Sequence, residues 1–277
     1  MSEPATRLPV PLYQGSVNTW ECDEGGHLNV RFHFERAMIG LGHFANALGM
    51  PHANTAHAGA MLLPIEAHIR FLREARPGAP LSMHGGVVTL DETSATLCLD
   101  MRHGDGAPSS CFTFKVEHVD TRELRPFPWT TRARAAAAAL KCEAPEHSKP
   151  RSFNLSKPSS DISRAKAIEV GAQRIGGAMV TPDQCGAFGR LRLEHFVGRI
   201  SDSVPNLLAQ WRHEAGSEAG ATPAGAVVEA RVVYRRFPRA GDLIEVHSGV
   251  AEVGDKTLRL AHWILDPASG EPWASME

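Results

Sequence analysis

Apolar residues recur at three- and four-residue steps in one stretch near the start of the chain: Val30, Phe34, Met38, Leu41, Ala45 and Leu48. That period predicts a helix over 30–49 with one buried face. The pattern then changes. Residues 62–72, 81–90, 95–101 and 110–119 are short apolar runs that predict strands. Turn chemistry separates them: Pro77, Gly78 and Pro80, then Asp91-Glu92-Thr93, then the hairpin signal His103-Gly104-Asp105-Gly106. Residues 11–22, with Tyr13, Val17 and Trp20 among polar neighbours, predict a short strand ahead of the helix. The order is strand, long helix, strand meander, which is an α+β pattern.

The pattern occurs twice. Shifted by 163 residues, Cys22 falls on Cys185 (185 − 22 = 163), Gly26 on Gly189 and Leu28 on Leu191. The same shift brings Glu66-Ala67 onto Glu229-Ala230, Phe71 onto Tyr234, Arg73 onto Arg236 and Arg76 onto Arg239. It also brings Gly78 onto Gly241, His84 onto His247, Gly86-Val87 onto Gly249-Val250 and Leu97 onto Leu260. One offset serving positions this far apart indicates two copies of one unit, at about 11–125 and 174–277. The period exceeds that of solenoid repeats, so this is a domain duplication. The expected domains are a first unit at 1–128, a helix and linker at 129–173, and a second unit at 174–277. Within the middle segment, the alanines at 135–139 favour helix, and 143–160 is rich in Pro, Ser and Lys. The second long helix is expected at 193–212, with a break at 203–205 because Pro205 lies inside it. The chain stops at Glu277, opposite Phe114 at this offset. The last strand is therefore expected to be short and to leave its neighbour with an open edge.

The length of 277 residues suits one large or two ordinary domains, and 43% apolar residues suffice for cores. A net charge of −2 favours neither nucleic acid nor a membrane surface, and no apolar run is long enough to span a bilayer. The first ten residues hold Glu3, Arg7 and two prolines in place of a signal-peptide apolar region. The cysteines at 22, 98, 111, 142 and 185 are odd in number and form no CxxC pair. They indicate neither a disulfide framework nor a zinc ribbon, and a reducing cytoplasm is the simplest location. The histidines at 43, 52, 57, 68, 84 and 103 show no ligand spacing with carboxylates, so no metal is expected. Neither a phosphate-binding glycine loop nor a dinucleotide fingerprint occurs, and no cofactor is expected.

Candidate chemistry concentrates in Cys22-Asp23-Glu24-Gly25-Gly26-His27-Leu28-Asn29, immediately before the first helix. Asn29 suits an N-cap. Unpaired backbone N–H groups at such a helix start can hold a polarised carbonyl oxygen. Opposite Asp23, His27 and Asn29 the second copy has Gly186, Arg190 and Arg192, while Cys185, Gly189 and Leu191 are kept. Groups that one copy discards are not demanded by the shared fold, so chemistry explains them better than capping, and one site per chain is expected. Cys22 survives as Cys185 and is expected to be a structural thiol. Glu66 is matched by Glu229, so its role is first structural, with a lesser claim to substrate contact. Arg235, Arg236 and Arg239, and the comparable set Arg70, Arg73 and Arg76, could bind phosphates, although a solvated turn explains them as well.

The loop resembles the Asp-x-x-Gly-His-x-Asn signature of hotdog-fold thioesterases, the group that includes 4-hydroxybenzoyl-CoA thioesterase and its acyl-CoA relatives; Asp23, Gly26, His27 and Asn29 match it. The resemblance implies two tandem hotdog units, each a long helix wrapped by an antiparallel sheet, forming a single-chain pseudo-dimer. It leaves room for a homodimer of such chains. It implies hydrolysis of acyl-CoA or acyl carrier protein thioesters. Asp23 would act as nucleophile or general base, the Gly26 or His27 N–H would polarise the thioester oxygen, and His27 would orient Asp23, hold water or protonate the leaving thiolate. Two other functions fit the same fold. One is a non-catalytic acyl-CoA-binding or regulatory protein. The other is a hotdog enoyl-CoA hydratase, whose Asp-x-Asn-Pro-x-His pattern this loop lacks.

Overall fold

Helix α1 (Val30–Ala47) starts where Asn29 caps it, the side-chain oxygen accepting from the Arg31 N–H at 3.0 Å. Its buried face is His33, Phe34, Ala37, Gly40, Leu41, Phe44 and Ala45, the three- and four-residue spacing seen in the sequence. The computed structural model describes residues 8–157, 163–214 and 226–277. The chain divides into two compact units, Met1–Phe153 and Asn154–Glu277. Residues 158–162 of the expected linker, and 1–7 and 215–225 of the expected units, lie outside the described residues.

In the first unit, α1 lies on an antiparallel sheet of five strands: β1 (Val10–Ser16), β2 (Ala60–Phe71), β3 (Pro80–Leu90), β4 (Ser94–His103) and β5 (Pro108–Asp120). Their spatial order is β1-β3-β4-β5-β2. Alternation along each strand sends Met83, Leu97, Leu99, Phe112 and Phe114 inward, and all are fully buried. Phe34 meets Phe112 edge-on at 5.1 Å, and Phe112 stacks on Phe114 at 5.3 Å. Gly40 lets α1 approach closely, since an added Cβ would stand 3.0 Å from the Met83 sulfur. Helix α2 (Thr131–Ala139) is capped by Thr130, whose hydroxyl accepts from the Ala133 N–H at 3.1 Å. Its buried residues are Ala133 and Ala137, and it lies beside β3. Beyond α2 the chain hydrogen-bonds to β3 through Val87, and a short turn at 146–148 crosses β2 and β5.

The second unit repeats the plan. Helix α3 (Arg164–Glu169) is followed by β6 (Gln173–Met179), α4 (Leu193–Glu214), β7 (Glu229–Tyr234), β8 (Leu243–Val253), β9 (Leu258–Leu265) and β10 (Pro272–Met276). The strand order is β6-β8-β9-β10-β7, the first unit's order with each strand replaced by its counterpart. Each unit is a hotdog, and the chain is a tandem pair of them.

Two details differ from expectation and a third agrees with it. Helix α4 does not break at Pro205. Proline removes one intrahelical bond, but Pro205 sits on the exposed side, and the buried Ile200, Ser203 and Leu207 hold the other side in place. Asn206 Nδ2 also donates to the Ile175 carbonyl of β6 at 2.8 Å. The offset grows to 164 at the last strand: Ser110 pairs with Phe71, whereas Ala274 pairs with Tyr234 (274 − 110 = 164). One extra residue in the preceding turn thus places Glu277 opposite Thr113, not Phe114. Finally, β10 is short yet pairs with both β9 and β7, and Arg231 and Glu277 exchange backbone bonds at 2.8 and 2.9 Å. Residues 231–234 of β7 are thus covered, whereas Leu258–Leu260 of β9 pair with β8 alone among the described residues, which is the open edge expected from a short last strand.

Candidate active site

The loop before α1 is a backbone frame that both units build. Asp23 N donates to His27 O at 2.9 Å, Gly26 N to Asp23 O at 3.0 Å, Leu28 N to Ala75 O at 2.8 Å, and Asn29 N to Glu21 O at 2.9 Å. In the second unit Gly186 N donates to Arg190 O at 2.8 Å, Gly189 N to Gly186 O at 2.9 Å, Leu191 N to Pro238 O at 2.8 Å, and Arg192 N to Gln184 O at 3.0 Å. Gly26 (φ +72°) and Gly189 (φ +67°) make the same left-handed turn, which glycine adopts without a Cβ penalty. The frame closes without an acid, an imidazole or an asparagine. Asp23 and His27 are additions to it.

Asp23 uses one carboxylate oxygen locally: Oδ1 accepts from the Gly25 N–H at 2.9 Å and the His27 N–H at 3.0 Å. The other oxygen takes no hydrogen bond among the described residues. Both amides expected to hold a substrate oxygen are thus engaged inside the loop, Gly26 N–H by the Asp23 carbonyl and His27 N–H by the Asp23 side chain. The reason is the tightness of the turn, which sequence spacing does not reveal. Asn29 caps α1 and so has a structural task whatever else it does.

His27 meets Glu74, which the sequence pattern did not single out, and Arg76, which it marked only as a possible phosphate ligand. Its Nε2 lies 2.9 Å from Glu74 Oε2 and 2.8 Å from an Arg76 guanidinium nitrogen. One ring nitrogen cannot donate to Glu74 and accept from Arg76 at once, so the tautomer selects the partner. Nδ1 faces the loop. A Cβ built on Gly25 would stand 3.1 Å from His27 Nδ1 and 3.2 Å from Asp23 Oδ1, so imidazole and carboxylate flank one bare glycine. The duplication carried a signal for Glu74: Phe237 stands opposite it (237 − 74 = 163).

The root of the loop is anchored to α1. Arg36 donates to Glu21 Oε2 at 2.8 Å, and the Asn18 N–H donates to the same oxygen at 2.6 Å. Burial would raise the Glu21 pKa, but these bonds outweigh it and hold the carboxyl below its usual range. Buried His33 ties α1 to β5. Its Nδ1 is 3.1 Å from Ser110 Oγ. Burial pushes its pKa down to about 3, with Arg36 adding to the effect. Burial and then the Asp23 and Glu21 charges push the Cys22 thiol up. Its Sγ contacts the Asn18 carbonyl as Cys185 contacts that of Thr181, which suits a structural thiol over a nucleophile.

The remaining candidates sit elsewhere. Glu66, on β2, pairs with Lys115 at 3.3 Å. Arg70 donates to the Lys149 carbonyl, and Arg73 pairs with Asp105 at 2.6 Å, so neither joins Arg76 in one cluster. In the second unit, Arg236 lies over the Trp273 ring at 4.3 Å and donates to the Pro272 carbonyl. The backbone N–H of Arg235 donates to Trp273 O, and that of Arg239 to Asp242 Oδ2 at 2.7 Å. No described helix is long and apolar enough to cross a membrane.

Residues 17–140 match the family model described as the thioesterase-like superfamily, a span that takes in the loop, α1 and β2 to β5. No curated protein matches significantly. Among solved structures, a provisionally named oleoyl thioesterase from Lactobacillus plantarum is 15% identical with a TM-score of 0.70, covering 95% of this chain and 93% of that one. An acyl-ACP thioesterase from Bacteroides thetaiotaomicron is 14% identical with a TM-score of 0.68, covering 95% and 94%. A 12:0-ACP thioesterase from Umbellularia californica is 12% identical with a TM-score of 0.67, covering 95% and 91%. At these identities the likeness establishes the fold.

Proposed function

We infer that this tandem hotdog of the thioesterase-like superfamily hydrolyses acyl thioesters, of coenzyme A or of acyl carrier protein, at the loop before α1. One observation carries the reading. Asp23 and His27 are mounted on a backbone frame that the second unit builds without them. The family match over 17–140 supplies the reaction class.

Hydrolysis adds water across the C–S bond, releasing a carboxylic acid and a thiol. Asp23 has one oxygen held by the Gly25 and His27 amides and a second that takes no bond within the described residues. The free oxygen can remove a proton from water as it attacks the carbonyl carbon. Alternatively it can attack that carbon itself, expelling the thiolate and leaving an acyl anhydride for water to open. His27, held through Nε2 by Glu74 or by Arg76 according to its tautomer, is placed to orient water or protonate the departing sulfur. Asn29 keeps the loop in register with α1. Arg235, Arg236 and Arg239 remain weaker candidates for substrate phosphate.

The test is turnover of an acyl-CoA and acyl carrier protein panel by the full chain and by Asp23→Asn. The variant keeps the side chain's shape and one acceptor oxygen. Turnover is expected to fall by ~10²–10⁴-fold, the range for losing a general base, with substrate affinity nearly unchanged. Near-normal turnover by Asp23→Asn overturns the assignment. A non-catalytic acyl-thioester binder draws on the engagement of both the Gly26 and His27 amides. It requires binding without turnover in the parent protein.

A further inference from the structure

Away from the loop, donor side chains from three elements of the first unit converge on the sheet face opposite α1. Cys98 and Asp100 alternate along β4 with the inward Leu97, Leu99 and Met101. One ligand atom each from Asp100, Cys111 and His147 lies within 4.8 Å of the others. Asp100 Oδ1 is 2.8 Å from His147 Nε2, and Asp100 Oδ2 is 2.7 Å from Arg102 Nε. Cys98 Sγ is 3.6 Å from Cys111 Sγ. Asp100 and Cys111 are buried; His147 is half-buried on the turn at 146–148.

The fold does not ask for these groups. In the second unit the matching positions are Ala261, Trp263 and Ser275 (261 − 98 = 163, 263 − 100 = 163, 275 − 111 = 164). There Ala261 and Trp263 pack with Ala167 and Leu265 in an apolar cluster. Ion pairs account for Asp100, Arg102 and His147, and Cys111 packs with Leu8 and Cys98, but neither arrangement requires thiol, carboxylate and imidazole to meet at one point. We propose that Asp100, Cys111 and His147 bind a divalent transition-metal ion of the zinc class.

A carboxylate, an imidazole and a thiol together suit zinc and its soft neighbours, not magnesium or calcium. Zinc bonds of ~2.0–2.3 Å place tetrahedral ligand atoms about 3.3–3.7 Å apart. The present atoms lie within 4.8 Å of one another, with Asp100 Oδ1 and His147 Nε2 at 2.8 Å, so binding requires these side chains to shift and the ion to replace that contact. Arg102 occupies the outer oxygen of Asp100 and leaves the inner one directed at His147, as supporting partners of metal-bound carboxylates do. Binding releases the Cys111 thiol proton to solvent. His147 offers the Nε2 lone pair with its ring hydrogen on Nδ1. The site is independent of the thioester chemistry.

The experiment is a titration of the reduced, chelator-stripped full chain with Co²⁺. A thiolate-to-cobalt charge-transfer band in the near ultraviolet is expected, saturating at one ion per chain and displaced by Zn²⁺. Cys111→Ser should lose the band. His147→Ala, at a half-exposed turn position, should keep the fold by circular dichroism and bind at least about tenfold more weakly. Cys185→Ser, in the second unit, should leave the spectrum unchanged. A parent protein without the band, a band retained by Cys111→Ser, or parental affinity in His147→Ala overturns the proposal.

Discussion

The pair His33 and Ser110 should make the first unit acid-sensitive in a way that the second unit shows how to remove. His33 is fully buried and packs edge-on against Phe71 at 5.1 Å. At the matching place Phe196 packs against Tyr234 at 5.5 Å, and Ala274 replaces Ser110. Burial, with Arg36 beside it, lowers the His33 pKa from 6.5 to about 3. A base with a depressed folded pKa contributes its full stability above the unfolded value and loses it as pH falls toward the folded one. Each pH unit within that window is worth about 1.4 kcal/mol. Between pH 7 and pH 5 the first unit should therefore lose about 2 kcal/mol through this group. The replacement His33→Phe alone would strand the Ser110 hydroxyl at a cost of about 1 kcal/mol. Combined with Ser110→Ala it copies the second unit. The assay is hydrogen-exchange mass spectrometry of α1 peptides across a urea series at both pH values, corrected for intrinsic exchange. The double variant should lose the acid-dependent component. A parent protein with no such loss, or a double variant that keeps all of it, refutes the reasoning.

Two further substitutions test the loop's support. Arg36→Met leaves the Glu21 carboxylate without its buried partner at 2.8 Å and should cost about 3–5 kcal/mol in urea unfolding. Glu21→Gln, which copies Gln184, should cost clearly less, and equal losses would argue against the charge pairing. Gly25→Ala puts a Cβ 3.1–3.2 Å from His27 Nδ1 and Asp23 Oδ1. It should lower kcat for thioester hydrolysis while moving the thermal midpoint little; unchanged kcat would mean that the two side chains need not hold this placement.

Periodicity and internal repetition are local properties of a chain, so they were legible. The three- and four-residue spacing of Val30 to Leu48 defines α1, short apolar runs define the strands, and the offset of 163 defines the duplication. The same comparison singled out Asp23 and His27, because two copies of one fold share packing constraints but not chemistry. What depends on three-dimensional proximity was not legible. Glu74 and Arg76 reach His27 across 47 and 49 residues because the turn after β2 runs beside the loop. The amides of Gly26 and His27 looked open in sequence, yet the turn is tight enough for Asp23 to occupy both. Pro205 predicted a break by its missing donor, but burial of the opposite helix face outweighs one lost hydrogen bond. Asp100, Cys111 and His147 have no motif spacing; strand pairing and the path of the chain over the sheet bring them together. Local pattern specifies which elements form and where they repeat. The contacts that decide chemistry arise when those elements pack, because only packing sets which distant side chains share the same few ångströms.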